Sequence, residues 1–402
     1  MRFGTTSLRL LFCNFEYPPL GGGGGVFMAA LARELAKRHD VSVLTSRVGG
    51  LPATSIEGGV RVVRVPVLFR REQAMANLLS MFAYLPAGAL RGMLMRPAQS
   101  FDVINTHFAV PTGPLGHFLH LTSGVPNVLS VHGGDLFDPS KRLSPHRHAW
   151  LRQSVRVLLR AADAVVGQSE DTIEHVREIY GVTRQVELIP LGIERPPRIA
   201  GGARERWGVP ADAFLLVTVG RLVPRKQSLQ LVEILGAAPL ARAHLLIVGD
   251  GPDAPAILAA ARERGVAGRV HLAGRVTDDD KYAALAASDV FVSTSQHEGF
   301  GLMFLEAMAS GLPIVCYDKG GQTDFLKRGV TGDVLPRDDV AAFVRALNEL
   351  QASKALRAEI AANNLARVEA YFIDRCAHRY EQVFESVARS AVAGARARGR
   401  YD

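Results

Sequence analysis

Short apolar runs alternate with helical patterns along almost the whole chain, and this alternation restricts the fold more than any other feature. In the first half the runs fall at Leu8–Phe15, Val41–Thr45, Val60–Val65, Val103–Thr106, Val128–Val131, Ala164–Gly167 and Val186–Ile189, with helical patterns such as Val26–Arg38 and His146–Ala162 between them. In the second half they recur at Leu215–Gly220, His244–Gly249, Val270–Ala273, Val290–Thr294 and Pro313–Cys316, separated by helices that include Pro252–Arg264 and Gly301–Ser310. Strands that are apolar throughout are buried on both faces, and intervening helices are the crossovers that parallel pairing needs. The segment Glu194-Arg195-Pro196-Pro197-Arg198-Ile199-Ala200-Gly201-Gly202 reads as a linker. At 402 residues the chain is also longer than one ordinary core supports. The expected fold class is therefore α/β, with two doubly wound, Rossmann-like domains facing a central cleft. Ligands in such sheets bind beyond the carboxyl ends of the strands. From Val340 the pattern is helical, and the small, basic end from Ala391 to Asp402 is expected to fray.

Composition narrows the class. Apolar residues make up 48% and charged residues 21%, ordinary values for a soluble globular protein. The most membrane-like segment runs from Ala74 to Met95, but Asn77, Tyr84, Pro86, Gly88 and Arg91 make it poor material for a span. Arg70, Arg71 and Arg96 flank it. Two readings stay open: a helix lying on an anionic membrane surface, or an amphipathic helix packed on the first domain's sheet. Leu8–Phe15 is too short for a signal peptide. Cys13, Cys316 and Cys376 are far apart and show no metal-ligand spacing, so they read as core residues in a reducing, cytoplasmic compartment. Of the net charge of +8, +6 falls in residues 1–195, which favours an anionic surface or a phosphate-linked acceptor. Nucleic acid is not expected, because the basic residues are scattered and no stacking motif accompanies them.

Several constellations carry chemistry. A buried strand, Asp289–Thr294, leads into Glu298-Gly299-Phe300-Gly301-Leu302 and then a helix containing Glu306. Free N–H groups at such a helix start, with about half a positive charge from the dipole, suit a phosphate. Glu298 at the mouth of the turn could accept hydrogen bonds from sugar hydroxyls, and Glu306 could reach a ribose. The alternative is a dipole-complementing Glu298 and a merely exposed helical Glu306. Another strand ends in Gly220-Arg221, with Lys226 five residues on. The two cations could grip a diphosphate from two sides, the guanidinium bidentately and the ammonium as a point charge; a pair of solvated surface charges is the other reading. Gly21 to Gly25, with Gly23 and Gly24 at the centre, follow the first strand at a phosphate-approach position. They fit neither a Walker loop nor a dinucleotide fingerprint. His132 closes a strand as Val131-His132-Gly133-Gly134-Asp135, which makes His132 and Asp135 candidate site residues; His107 is a weaker one. A later strand ends in Asp318 and Gly320-Gly321, with Asp324 beyond, a loop that could close over a sugar.

This order of motifs (glycine loop, His-Gly-x-Asp, Gly-Arg…Lys, Glu-x7-Glu) resembles retaining glycosyltransferase family 4, which has the two-domain GT-B fold, over nearly the full length. The resemblance implies an N-terminal acceptor-binding domain (1–195), a C-terminal nucleotide-sugar domain (196–372), and a final helix and basic tail (373–402) that crosses back to the first domain. It also implies that Arg221 and Lys226 bind the diphosphate, Glu306 the ribose, and Glu298 with the Gly299, Phe300, Gly301 and Leu302 backbone the sugar and phosphate. His132 would lie at the reacting sugar and the glycine loop near phosphates and acceptor. There are departures: Gln227 stands where glycine is usual, Arg225 where an acid is frequent, and Asp324 in place of a more usual Glu.

The resulting expectation is a retaining hexosyltransferase that moves a sugar from a UDP- or GDP-sugar to a carbohydrate or lipid-linked acceptor. Bacterial surface polysaccharide or glycolipid synthesis is the implied setting, at the inner face of the membrane. No cofactor is expected, and no metal site, since no paired acids are placed to hold a divalent ion. Rival readings are a sugar-nucleotide epimerase or phosphorylase on the same scaffold and a non-catalytic nucleotide-sugar-binding subunit. A nicotinamide oxidoreductase is disfavoured, because the second strand ends Thr45-Ser46-Arg47 without the ribose-binding acid.

Overall fold

The computed structural model describes residues 7–67, 78–95, 101–198 and 203–398. They fall into two compact units, one built from residues of 1–192 and 373–402 and the other from Ile193–Phe372.

The first unit contains strands β1 (Arg9–Cys13), β2 (Asp40–Arg47), β3 (Thr54–Glu57), β4 (Val60–Pro66), β5 (Val103–His107), β6 (Asn127–Val131), β7 (Ala164–Gly167) and β8 (Glu187–Leu188). Its helices are α1 (Gly23–Ala36), α2 (Leu78–Met95), α3 (Gly113–Ser123), α4 (Ala149–Ala161) and α5 (Glu170–Glu178). The strands lie in the order β3-β4-β2-β1-β5-β6-β7-β8. All neighbours are parallel except β3 and β4. That antiparallel edge was not expected from the sequence. Its cause is the Gly58-Gly59 turn, whose two positive φ angles, 56° and 84°, favour a tight hairpin.

The second unit contains α6 (Ala203–Arg206), β9 (Phe214–Val219), α7 (Ser228–Leu235), β10 (Ala243–Val248), α8 (Ala254–Glu263), β11 (Val270–Gly274) and α9 (Asp278–Ala286). It continues with β12 (Val290–Ser293), α10 (Leu302–Ala309), β13 (Ile314–Tyr317), β14 (Gly332–Leu335), α11 (Val340–Ala352) and α12 (Lys354–Val368). Its sheet, β11-β10-β9-β12-β13-β14, is parallel throughout. Both sheets are thus doubly wound, as the alternation predicts. Strand order reverses between β1 and β5 in one sheet and between β9 and β12 in the other. Loops leave a switch point in opposite directions and open a crevice there.

The cores form where the alternation places them. Leu216, Leu245, Ile247, Val292, Val315 and Phe343 belong to one buried cluster of the second unit. In the first unit Leu11, Leu44, Val63 and Tyr84 pack with Leu115 and Leu119. Tyr84 brings α2 onto the sheet, its hydroxyl donating to the Leu44 carbonyl at 2.9 Å. Of the two readings of this segment, the described part, α2, is therefore a helix packed on the first sheet; Arg70, Arg71 and Arg96 lie outside the described residues. Among the described residues no helix is long and apolar enough to cross a membrane.

The last helix, α13 (Ile373–Arg398), packs along α1. Glu381 accepts from the Arg38 Nε at 2.9 Å and meets the His39 Nε2 at 2.7 Å. The Tyr380 hydroxyl reaches the Ser130 Oγ at 3.2 Å. This helix persists to Arg398, beyond the point where fraying was expected. All three cysteines are buried and free.

Candidate active site

In the second unit the loops leaving β9 and β12 flank the switch point and are clasped together. The Thr294 hydroxyl donates to the Gln227 carbonyl at 2.9 Å, and the Gln296 N–H donates to the Arg225 carbonyl at 2.9 Å. This clasp sets two cations against one carboxylate. Lys226 Nζ lies 2.5 Å from Glu298 Oε1, and Arg225 lies 3.2 Å from Glu298 Oε2. Burial alone would raise the Glu298 pKa, but the two cations outweigh it and bring it down to about 2. The Lys226 pKa is lowered by burial, with the neighbouring Arg225 and Arg221 adding to the effect and Glu298 opposing it. Arg221 lines the same open pocket of about 250 Å³ with Gly220, Lys226, Ser228, Ser293 and Ser295. Gln227 adopts the left-handed conformation (φ 46°) as it caps α7. That conformation accounts for a glycine preference at this position, and the glutamine carries a cost of about 1 kcal/mol.

Glu298 is fixed from behind. Its N–H donates to the Lys319 carbonyl at 3.2 Å, and its carbonyl accepts from the Gly321 N–H at 2.8 Å. The loop after β13, expected to lie over a bound sugar, is thereby zipped onto the Glu298 backbone. Only glycine serves at position 320: φ is 116°, and a Cβ there would fall 2.0 Å from the Glu298 carbonyl oxygen. Asp318 and Asp324 sit at the start of this loop and in the short turn Gly321–Asp324.

Gly299 and Gly301 shape the entry to α10, where Gly301 is left-handed (φ 89°) and, among the described residues, no side chain caps the first turn. Leu302 opens the helix. The Phe300 side chain is buried with its ring 5.0 Å from that of Phe325, so it anchors the turn in the core. Glu306, further along α10, meets Lys281 of α9 at 2.7 Å. Sequence reasoning missed Arg225 and Lys281 as partners of these carboxylates. Arg225 was noticed only as a departure from the acid frequent at that position.

In the first unit His132 follows β6 and is buried. Its Nδ1 lies 3.2 Å from the Gln168 Oε1 and its Nε2 3.0 Å from the His107 Nδ1. Burial lowers the His132 pKa to about 4. Asp135 accepts from the N–H groups of Ala109, at 2.5 Å, and His132, at 2.8 Å. It therefore holds the β5 and β6 loops together, and burial raises its pKa to about 6. Gly23 and Gly24 are helical, within the first turn of α1, which begins three residues before the expected Val26. Phe108 explains the glycine at 24. Its ring centroid is 4.3 Å from that of His132, and a Cβ on Gly24 would meet the ring at 2.3 Å. Phe108 itself is left-handed at φ 71°, a strained backbone beside the glycine turn. The glycine turn, Phe108, His107, His132 and Asp135 are thus one constellation, and Glu298, Lys226, Arg221 and α10 are another. Among the described residues no group of three or more His, Cys, Asp or Glu is placed to hold a metal ion.

The chain is similar to known proteins in sequence and in fold. Residues 21–195 match the description "Glycosyltransferase Family 4", and residues 202–367 match "Glycosyl transferases group 1". The D-inositol 3-phosphate glycosyltransferase of Xylanimonas cellulosilytica is 26% identical over 93% of this chain and 95% of its own length. The GDP-mannose-dependent alpha-(1-6)-phosphatidylinositol monomannoside mannosyltransferase of Mycolicibacterium smegmatis is 26% identical over 85% of this chain and 89% of its own. In fold, the chain superposes on Anabaena HepE, solved with UDP and glucose, at a TM-score of 0.77 with 20% identity, over 94% of this chain and all of that one. Two matched family halves in the right order, full-length relatives and two doubly wound sheets agree: the chain belongs to glycosyltransferase family 4 and is a glycosyltransferase of the GT-B fold.

Proposed function

We propose that the protein transfers a hexosyl group from a nucleoside diphosphate sugar to an acceptor hydroxyl with retention at the anomeric carbon. The observation that carries this reading is the Lys226–Glu298–Arg225 cluster, whose Lys226 lines the pocket together with Gly220 and Arg221. In the reading, Lys226 and Arg221 hold the diphosphate, and the uncapped first turn of α10 aims N–H groups at it. Glu298, kept ionised by its two cations, accepts hydrogen bonds from sugar hydroxyls, and Glu306 accepts from the ribose. UDP in the HepE structure and GDP-mannose in the name of the mannosyltransferase support a UDP- or GDP-sugar as donor.

The bond from the anomeric carbon to the diphosphate oxygen breaks, and one to the acceptor oxygen forms on the same face. The acceptor proton passes to the leaving phosphate. Charge grows on the diphosphate as the bond breaks, where two cations and a helix start are already in place. Preorganised charges of this kind are each worth roughly 2–4 kcal/mol of barrier, so the transfer proceeds without a divalent metal. The first unit binds the acceptor. His132 and Asp135 with the Gly23–Gly24 turn form its edge at the reacting sugar, and α13 completes that unit. Its charge of +6 over residues 1–195 suits a lipid-linked or phosphorylated acceptor at an anionic membrane surface in the cytoplasm. Surface polysaccharide or glycolipid synthesis is the matching pathway class.

The test is to incubate the protein with radiolabelled UDP-, GDP- and ADP-sugars, with and without a membrane lipid extract, in the presence and absence of EDTA. Acceptor-dependent nucleotide release that survives EDTA is expected. All donors left intact, with no thermal protection by any nucleotide, would overturn the assignment.

A further inference from the structure

We infer that the outer surface of the α2–α3–α4 layer is the face on which the first unit docks to an anionic lipid bilayer. This rests on the reading of that unit as the acceptor side and gives the membrane a defined contact surface. The three helices lie side by side on one face of the first sheet. Gly88 and Gly92 of α2 interlock with α3, since a Cβ on them would fall 2.7 Å from Leu115 and Leu119 respectively. Gly113 of α3 does the same with Leu158 of α4, at 2.8 Å. Tyr84, Leu115, Leu119, Val155 and Leu158 are buried. The inner side of the layer is thus spent on the fold.

The outer side is apolar where a solvated surface would be polar. Leu90, Met93 and Leu94 form a stripe at helical spacing on α2, and all three are exposed. Phe118 and Leu121 continue the exposed set on α3, with Leu121 67% exposed. Trp150 and Val157 extend it on α4, with Trp150 59% exposed. Single exposed apolar residues are ordinary, whereas a set of them across three neighbouring helices marks a contact surface.

Charge identifies what that surface meets. None of the three helices contains an aspartate or a glutamate, while Arg91, Arg152, Arg156 and Arg160 supply positive charge. Arg152, Arg156 and Arg160 rest on the carbonyls of His146, Tyr180 and Gly181, contacts that leave their charge unneutralised. The property stops at α5, which carries Glu170, Asp171, Glu174 and Glu178. A second copy of the chain is a poor occupant, because a two-fold interface would set arginines against arginines with no acid between them. A bilayer with anionic headgroups meets both requirements. Its phosphates pair with the guanidiniums, its acyl boundary takes the leucines, and Trp150 sits at the level between them.

The experiment is co-sedimentation of the full chain with phosphatidylcholine vesicles, alone or with about 30 mol% phosphatidylglycerol. The wild type is compared with Leu90→Gln/Leu121→Gln and Arg91→Gln/Arg160→Gln. No sugar donor is present, so failure here leaves the transferase reading standing. The wild type is expected to bind the anionic vesicles at least roughly tenfold more tightly than the neutral ones. Each double variant should lose roughly tenfold of that affinity with an unchanged melting temperature. Leu229→Gln/Leu258→Gln, at exposed leucines of the second unit, should bind like the wild type. With Trp207→Phe, Trp150 is the sole tryptophan, and its emission should shift to the blue on the anionic vesicles. Absence of binding, an unmoved Trp150 emission, or variants of this face that bind as tightly as the wild type would each overturn the assignment. So would a dimer in light scattering that Leu90→Gln/Leu121→Gln dissociates, since the face would then belong to a second copy.

Discussion

His107 Nδ1 and His132 Nε2 lie 3.0 Å apart, and this contact assigns the tautomer of both rings. His107 Nε2 is buried and has no partner among the described residues. If it carried the proton, an N–H would be orphaned in the core; if not, only a lone pair is left, and orphaned buried N–H groups are the rarer case. His107 therefore donates from Nδ1 to His132, and His132 donates from its own Nδ1 to Gln168. Both nitrogens of His132 are engaged inside the first unit.

That dyad predicts how stability follows pH. His132 titrates near 4 in the fold and about 6.5 unfolded, so the unfolded chain binds more protons between those values and stability falls on acidification. The loss is on the order of 3 kcal/mol, and His107, lowered by burial and by His132, adds in the same direction. Asp135 works the other way. Its pKa of about 6 lies above the unfolded value of 3.8, so the native state gains protons first and stability rises as pH falls from about 6 to 4. The two slopes oppose each other in the wild type. Asp135→Asn should expose the histidine slope, read by urea unfolding at pH 7, 5.5 and 4. An equally shallow profile in that variant would show that neither group is perturbed as described.

Gly320→Ala should disable the second unit's site from behind. The added methyl would fall 2.0 Å from the Glu298 carbonyl oxygen, at a backbone angle L-residues avoid, so the loop after β13 must separate from Glu298. A loss of roughly 2–3 kcal/mol in stability is expected. Turnover should drop further than the loss of folded protein explains, because Glu298 loses two backbone hydrogen bonds. Melting temperature and kcat on the same sample separate the two effects.

Glu381→Ala tests how α13 is held. Its carboxylate serves both Arg38 and His39 and is only 7% exposed. Truncation strands a buried ring nitrogen of His39 and leaves the Arg38 guanidinium with Glu34 alone, at 3.8 Å. A cost of about 2–4 kcal/mol follows. Faster amide exchange should be confined to α13 and the end of α1, and uniform loss of protection would contradict local docking.

Much of this architecture was legible in the sequence, for reasons visible in particular residues. Leu10–Cys13 and Val290–Val292 are apolar without alternation because parallel strands are covered on both faces, and that pattern survives without tertiary information. The Thr54–Glu57 strand did not announce itself, because an edge strand beside a Gly-Gly turn has the composition of a loop. Strand Gly332–Leu335 was missed for a similar reason, as it starts with Gly-Asp. The chemistry-bearing residues stood out individually, but their pairings did not. Glu298 and Lys226 are 72 positions apart and meet only because β9 and β12 are neighbours across the switch point. His107 and His132 likewise meet because β5 and β6 pair with His107 opposite Ser130. Lys281 carried no local signal at all; a lysine three residues after an aspartate in an acidic helix start looks like a surface pair.

The distance between Lys226 and Glu298 makes the final prediction one of coupling. At 2.5 Å, with side chains 15% and 7% exposed, the two form one electrostatic unit. Lys226→Ala removes a positive charge proposed to face the diphosphate and leaves Arg225 as the remaining cation on Glu298. Glu298→Gln removes the negative charge proposed to accept from the sugar, replaces one carboxylate oxygen by an NH2 donor, and frees Lys226 to move. Each should lower kcat by roughly 10²–10³-fold, the range for losing one preorganised charge. The double variant should be little worse than either single one, because the second change acts on a partner already misplaced. Glu298 titrates near 2, so the wild-type rate should show no acid limb from this group above about pH 4. Additive losses, near 10⁵-fold in the double variant, would mean that the cation and the carboxylate act independently, and the shared site would have to be abandoned.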